Sequence, residues 1–164
     1  MNKGDILGLY RFNEWANGRL MGVARTLPDE ALSRDLGGSF RTLRDVVGHI
    51  VAAEWLWLER WRGVSPALPD WVGSGSLSLL LDRLAEVEAR RAVYLQGLSE
   101  SALDSELSFR YVSGAPGAHV LGDLLVHVVN HSTDPRVQVA SMLRQVGAVP
   151  PSTDFVVFKA ESRT

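Results

Sequence analysis

The sequence predicts an all-α protein folded as a four-helix bundle, on three observations. Four segments, roughly Asp5–Thr26, Leu43–Arg62, Leu77–Leu98 and Val120–Gln145, carry apolar residues at helical spacing. Long connections separate the later ones, as in bundles with crossover loops. Hydrophobic residues make up 46% of the 164 positions, enough for one core in one domain spanning residues 1–164.

Each element has its own signals. In the first helix Leu9, Phe12, Ala16, Leu20, Val23 and Leu27 form the apolar stripe, and Asn13 and Asn17 lie beside it one turn apart. Pro28 can open a short helical turn through Leu32. Thr42 and Asp45 make a capping pair for the second helix. Its wide apolar face (Leu43, Val46, Val47, Ile50, Trp57, Leu58, Trp61) is extended nearly all round by Trp55 and Leu56, which marks this helix as central. Gly63, Pro66 and Pro69 end it.

The third helix turns Leu80, Leu81, Leu84, Val87 and Leu95 inward and leaves Asp82, Arg83, Glu86, Glu88, Arg90 and Arg91 for a solvated face. Leu107–Val112 alternates as a short strand does, and Gly114–Gly117 reads as a turn, so a small strand pair can precede the fourth helix. Gly147 and Pro150-Pro151 stop that helix. The apolar tail Asp154–Lys159 is expected to dock on the body or on a partner.

Composition excludes several functions. The net charge is −2 and no Lys/Arg block is present, so neither nucleic acid nor anionic lipid is an expected partner. Absence of cysteine removes disulfides, redox pairs, thiolate zinc ligands and a cysteine nucleophile. Neither a signal peptide nor a membrane-spanning run is expected, and a cytoplasmic protein is the simplest reading.

His127 and His131 carry the chemistry. Four residues apart in an apolar helix, they aim two imidazoles at one point. His49 lies at the edge of the second helix's apolar face and needs a polar partner or a metal if it is inward. Three imidazoles from two helices would form a site with open coordination positions; the bland alternative is a set of structural hydrogen-bonders. His119, before the fourth helix, is expected to be exposed. Asn13 and Asn17 could bond the back nitrogen of a liganding histidine, or simply join two helices. Glu54 could act as a general base, but it sits about 140° round the helix from His49, which favours a surface salt bridge. The tryptophans Trp15, Trp55, Trp57 and Trp61 read as core or interface rather than pocket lining.

At these residues the chain resembles the DinB family of bacterial proteins. The resemblance rests on Asn13-Glu14-Trp15-Ala16-Asn17, on Gly48-His49-Ile50-Val51-Ala52-Ala53-Glu54-Trp55-Leu56-Trp57, and on His127-Val128-Val129-Asn130-His131-Ser132-Thr133 with Arg136, Gln138 and Val139. The tail Ser152-Thr153-Asp154-Phe155 matches as well. The resemblance implies a bundle with a divalent metal on three histidines, one on the second helix and two on the fourth, four residues apart. His49 and His131 match two of them. The third would fall at Pro135, where the family's His-Arg-Gly-Gln run reads Pro135-Arg136-Val137-Gln138.

Proline cannot ligate a metal, and it lacks the amide that would bond the His131 carbonyl. A kink is expected, or a break at which Asp134 caps a new helix with Pro135 at its first position. On an unbroken helix His127, His131 and Asp134 project within about 60° of one another. His127 could therefore substitute as ligand, or Asp134 could supply an oxygen; Arg136 could meet an anionic substrate.

Three functions follow as expectations. One is a degenerate site that binds nickel or zinc at low occupancy, or no metal, and whose protein serves as a non-catalytic ligand- or protein-binding member. The second is an active metal-dependent thiol transferase or hydrolase, in which the metal would acidify a thiol or a water on His49, His131 and His127 or Asp134. The third is an interaction protein using the tryptophan-rich second helix. A homodimer and a small-molecule ligand are the expected partners.

Overall fold

A computed structural model describes residues 1–162 of the chain. Its helices are α1 (Lys3–Ala24), α2 (Asp29–Ser33), α3 (Leu43–Trp61), α4 (Leu77–Gly97), α5 (Leu121–His131), α6 (Thr133–Gln145) and α7 (Phe155–Glu161). A 3₁₀ turn, Ser101–Asp104, and an antiparallel hairpin of β1 (Glu106–Arg110) and β2 (Pro116–Val120) lie between α4 and α5. The bundle is formed by α1, α3, α4 and the α5–α6 pair, with α3 packed against α4, α5 and α6.

Local chemistry sets the helix starts. Asn2 and Asp5 close a capping box on α1, Thr42 and Asp45 close one on α3, and Ser76 caps α4. Each satisfies amides that the first turn leaves without a partner. The tail forms α7, whose Phe155 and Phe158 rings lie 5.1 and 5.7 Å from the Phe12 ring of α1. Trp15 Nε1 also donates to Glu161 at 2.9 Å.

Of the kink or break expected in the fourth helix, the structure shows a break into two helices. Pro135 removes the donor to the His131 carbonyl, and the chain absorbs the loss by starting α6 at Thr133, so that Pro135 falls in a first turn where no amide is needed. Asp134 is not the cap and Pro135 is not the first residue, as the sequence suggested. Ser132 is the junction: it keeps right-handed helical dihedrals, and its hydroxyl donates to the Val128 carbonyl at 3.0 Å.

The core has two apolar halves. One gathers Leu20, Val47, Ile50, Leu84 and Leu143 among others. The other gathers Tyr10, Leu58, Trp61, Leu125 and Val129. Between them on α1, α3 and α6 lie buried Asn13, Asn17, Glu54 and Arg136, joined by Arg91 from α4. A polar layer thus crosses the middle of the bundle.

The hairpin lays aromatic side chains over one end. Phe109 pairs in register with Gly117. A Cβ at Gly117 would come within 2.8 Å of both Phe109 and Tyr111 ring carbons. Gly117→Ala should therefore displace these rings and destabilise the protein by about 1–3 kcal/mol. Denaturant melts and the near-ultraviolet circular dichroism would register both effects; an unchanged spectrum would contradict the packing.

Candidate metal centre

The amphipathic faces of α3 and α5 bring His49 and His131 together. Their ring centroids are 5.4 Å apart, and both are half-buried. Nitrogen ligands bind zinc at about 2.0–2.1 Å, which places two ligating rings roughly 5 Å apart in a tetrahedral shell. The pair is spaced as two ligands would be. Phe40 also packs against His49, with ring centroids 4.9 Å apart. Burial, together with the neighbouring His131, lowers the His49 pKa below the usual histidine value. The neutral, ligand-competent form is therefore favoured.

The third corner is different. Pro135 is buried and offers no donor atom. His127 lies 5.8 Å from His131 but is exposed, and its ring sits edge-on to Trp57 at 5.2 Å. Asp134 is exposed. Among the described residues no three His, Cys, Asp or Glu side chains converge in a way that could hold a metal ion. The residues present match two donors of a metal shell and not a third.

The other residues singled out in the sequence serve the polar layer. Asn13 and Asn17 donate from Nδ2 to Glu54 Oε1 at 2.7 and 2.9 Å rather than to a histidine. Arg136 donates from Nη1 to the Oδ1 of Asn13, and to that of Asn17 at 3.4 Å. It is 3% exposed, so the proline before it does not present it to an anion. One cause underlies these partnerships. A buried guanidinium and a buried carboxylate need hydrogen-bond partners more than a half-buried imidazole does.

Glu54 and Arg91, which the sequence pattern assigns to the surface, form the most deeply buried ion pair among the described residues, at 1% and 0% side-chain exposure. Arg91 Nη1 donates to Glu54 Oε2, and Nη2 donates to Glu14 Oε1 at 2.9 Å. Burial pulls the Arg91 pKa down, but the charges of Glu54, Tyr10 and Glu14 and the Glu14 hydrogen bond more than offset it and hold it above its ordinary value. A sequence signal existed. Arg91 continues the inward stripe Leu84, Val87, Leu95, and Glu54 continues Val47, Ile50, Leu58.

Glu88 gives the layer a pH dependence. Burial first, then the Glu54 charge, pushes its carboxyl up to about 7. The folded chain keeps this proton between the usual carboxylate range and about 7, where the unfolded chain has lost it. Stability contributed there is present at low pH and lost as pH rises through that window. Glu88→Gln should remove this slope and raise the melting temperature at pH 8 by roughly 2–4 °C. Melts at pH 5 and pH 8 check it: an equal change at both pH values would contradict the assignment.

The model of the DinB family matches residues 1–164. The chain belongs to the DinB family. It is 24% identical to Protein DinB of Bacillus subtilis (strain 168), over 95% of this chain and 94% of that protein. Among solved structures, YfiT from Bacillus subtilis superposes with a TM-score of 0.71 at 17% identity, covering 90% of this chain and 91% of that one. YfiT is described as a probable metal-dependent hydrolase with an unusual four-helix bundle topology. A DinB-like protein from Bacillus cereus ATCC 10987 gives a TM-score of 0.66 at 23% identity, over 84% and 89% of the two chains. The likeness to both structures carries the DinB fold. No helix among the described residues is long and apolar enough to cross a membrane.

Proposed function

We propose that this DinB-family chain keeps the bundle and a two-imidazole remnant of a metal centre, and has lost stoichiometric metal binding. His49 and His131 hold a divalent ion such as zinc or nickel weakly, or hold none, and metal-dependent transfer or hydrolysis is not the chain's task. Its role is that of a non-catalytic member that binds a small molecule. The observation that carries this reading is Pro135, buried one helical turn after His131 where a third donor would be needed. Removing one ligand from a small set costs orders of magnitude in affinity, since even partners outside the ligand shell are worth 10–100-fold, roughly.

Zinc titration by calorimetry tests it. The wild-type chain is expected to bind no tighter than about 1 μM at neutral pH, and His49→Ala should abolish the residual heat. A nanomolar site in the wild type would overturn the reading.

The second reading, an active metalloenzyme, draws on the 5.8 Å approach of His127 to His131. It requires His127 to leave Trp57 and turn inward. Under it, His127→Ala would weaken zinc binding as strongly as His49→Ala does; under the first reading it leaves binding unchanged.

A further inference from the structure

A separate cavity of about 260 Å³ lies beside His127, between the hairpin and the start of α5. Its lining is the rings of Trp57, Phe109, Tyr111, His119 and His127 together with Leu124 and Asp123. The rings brace one another. Trp57 meets Phe109 at 5.2 Å and His127 at 5.2 Å, and Phe109 meets Tyr111 at 5.0 Å, all edge to face. This geometry is held in place from behind. Arg60 lies 4.6 Å from the Trp57 ring centre and 5.4 Å from that of Phe109, and its Nε donates to the Arg110 carbonyl at 3.1 Å. Gly117 supplies the space in which the Phe109 and Tyr111 rings lie, since a side chain there would collide with both. The cage is therefore built by α3, both strands of the hairpin and α5, and a glycine makes room for it.

The lining decides the chemical class. Aromatic walls with few convergent polar groups suit a small organic ligand, and the volume lies just below the roughly 300–1,000 Å³ of drug-sized sites. That size admits one ring with a short arm. Asp123 is the one carboxylate in the lining, and no lysine or arginine lines the cavity among the described residues. A cationic head matches that charge. The Arg60 guanidinium already stacks on Trp57 and Phe109, so the head belongs at Asp123 and not over those two ring faces.

We propose that this cage is a binding site for a small aryl-alkyl amine, its ring enclosed by Trp57, Phe109 and Tyr111 and its ammonium donating to the Asp123 carboxylate. The site deepens the ligand-binding role proposed above but does not need a metal, because neither His49 nor His131 lines it.

The test uses the full chain in the presence of a chelator, with 2-phenylethylamine, 2-phenylethanol and phenylacetate as probes and the Trp57 indole N–H resonance as readout. The amine should bind saturably and shift that resonance. The alcohol and the carboxylate should bind roughly tenfold weaker, the worth of one hydrogen bond to a charged group. Asp123→Asn should bring the amine down to the alcohol's level and leave the alcohol unchanged. Tyr111→Ala, a partly exposed ring whose loss the fold can bear, should weaken amine and alcohol by similar factors. Phenylacetate binding as well as the amine, an Asp123→Asn variant that keeps full amine affinity, or no probe reaching Trp57 would each overturn the assignment. None of these outcomes depends on whether His49 and His131 bind zinc, so the two proposals fail separately.

Discussion

Pro135→His is expected to give the chain tight zinc or nickel binding, with affinity raised by at least about 100-fold over the parent. Three physical changes act together in this one substitution. An imidazole replaces a ring with no donor atom. The new residue follows His131 by one helical turn, the spacing that lets two ligands share an ion. The restored backbone amide can again bond the His131 carbonyl, which steadies the helix carrying both ligands. The His49–His131 pair, 5.4 Å apart, supplies the other two corners. Ligand binding to the folded state also raises stability, so saturating zinc should lift the melting temperature of the variant and leave the wild type nearly unmoved. Calorimetry and thermal melts with and without zinc measure both effects. A variant that binds no better than the parent would mean that α5 and α6 do not present these positions to one another as neighbours.

Arg91→Met is expected to be the most destabilising single change considered. It strips the counter-charge from Glu54, which is 1% exposed and cannot reach water. Breaking a buried ion pair from one side costs about 3–5 kcal/mol, enough to lower the melting temperature on the order of 10 °C in a chain of this size. Asn13 and Asn17 still donate to Glu54 Oε1, which limits the loss without removing it. The double variant Glu54→Gln with Arg91→Met should recover part of the stability, because the uncompensated charge is gone. Circular-dichroism melts of the parent, the two single variants and the double variant decide the point. An Arg91→Met protein that melts with the parent would show the pair to be solvated.

The sequence made the long helices legible through their 3.6-residue apolar periods, and α3 added a chemical start signal. Thr42 and Asp45 marked the first turn of α3 to the residue. The hairpin was half visible. Leu107 and Phe109 alternate with polar neighbours in β1, whereas β2 reads Pro116-Gly117-Ala118-His119-Val120, small residues that look like a turn until Phe109 is seen lying across Gly117. The position of the fourth helix and a kink or break near Pro135 were readable; the residue at which the chain restarts was not. Pro135 announces a disturbance, but where the chain restarts depends on which first turn best absorbs a missing amide.

The candidate site divides the same way. Spacing brought His127 and His131 together, and the apolar face of the second helix pointed to His49; the structure places His131 against both. The polar layer was missed because its members come from four helices, and each alone looked like an ordinary surface charge or helix contact. Arg91 sits among five other charged residues of α4, and that crowding masked its place on the inward stripe. Long-range partnership of this kind is a property of helix packing, which no local period records. The aromatic cage was hidden for the same reason: Trp57 lies fifty-two residues before Phe109 in the chain and in contact with it in space.

The most direct measurement is the metal content of the wild-type chain purified from zinc- and nickel-supplemented medium, with Pro135→His carried through the same steps. The account predicts wild-type protein essentially free of both metals beside a variant that carries one in stoichiometric amount. Wild-type protein that retains a full equivalent, and loses it on His49→Ala, would contradict it.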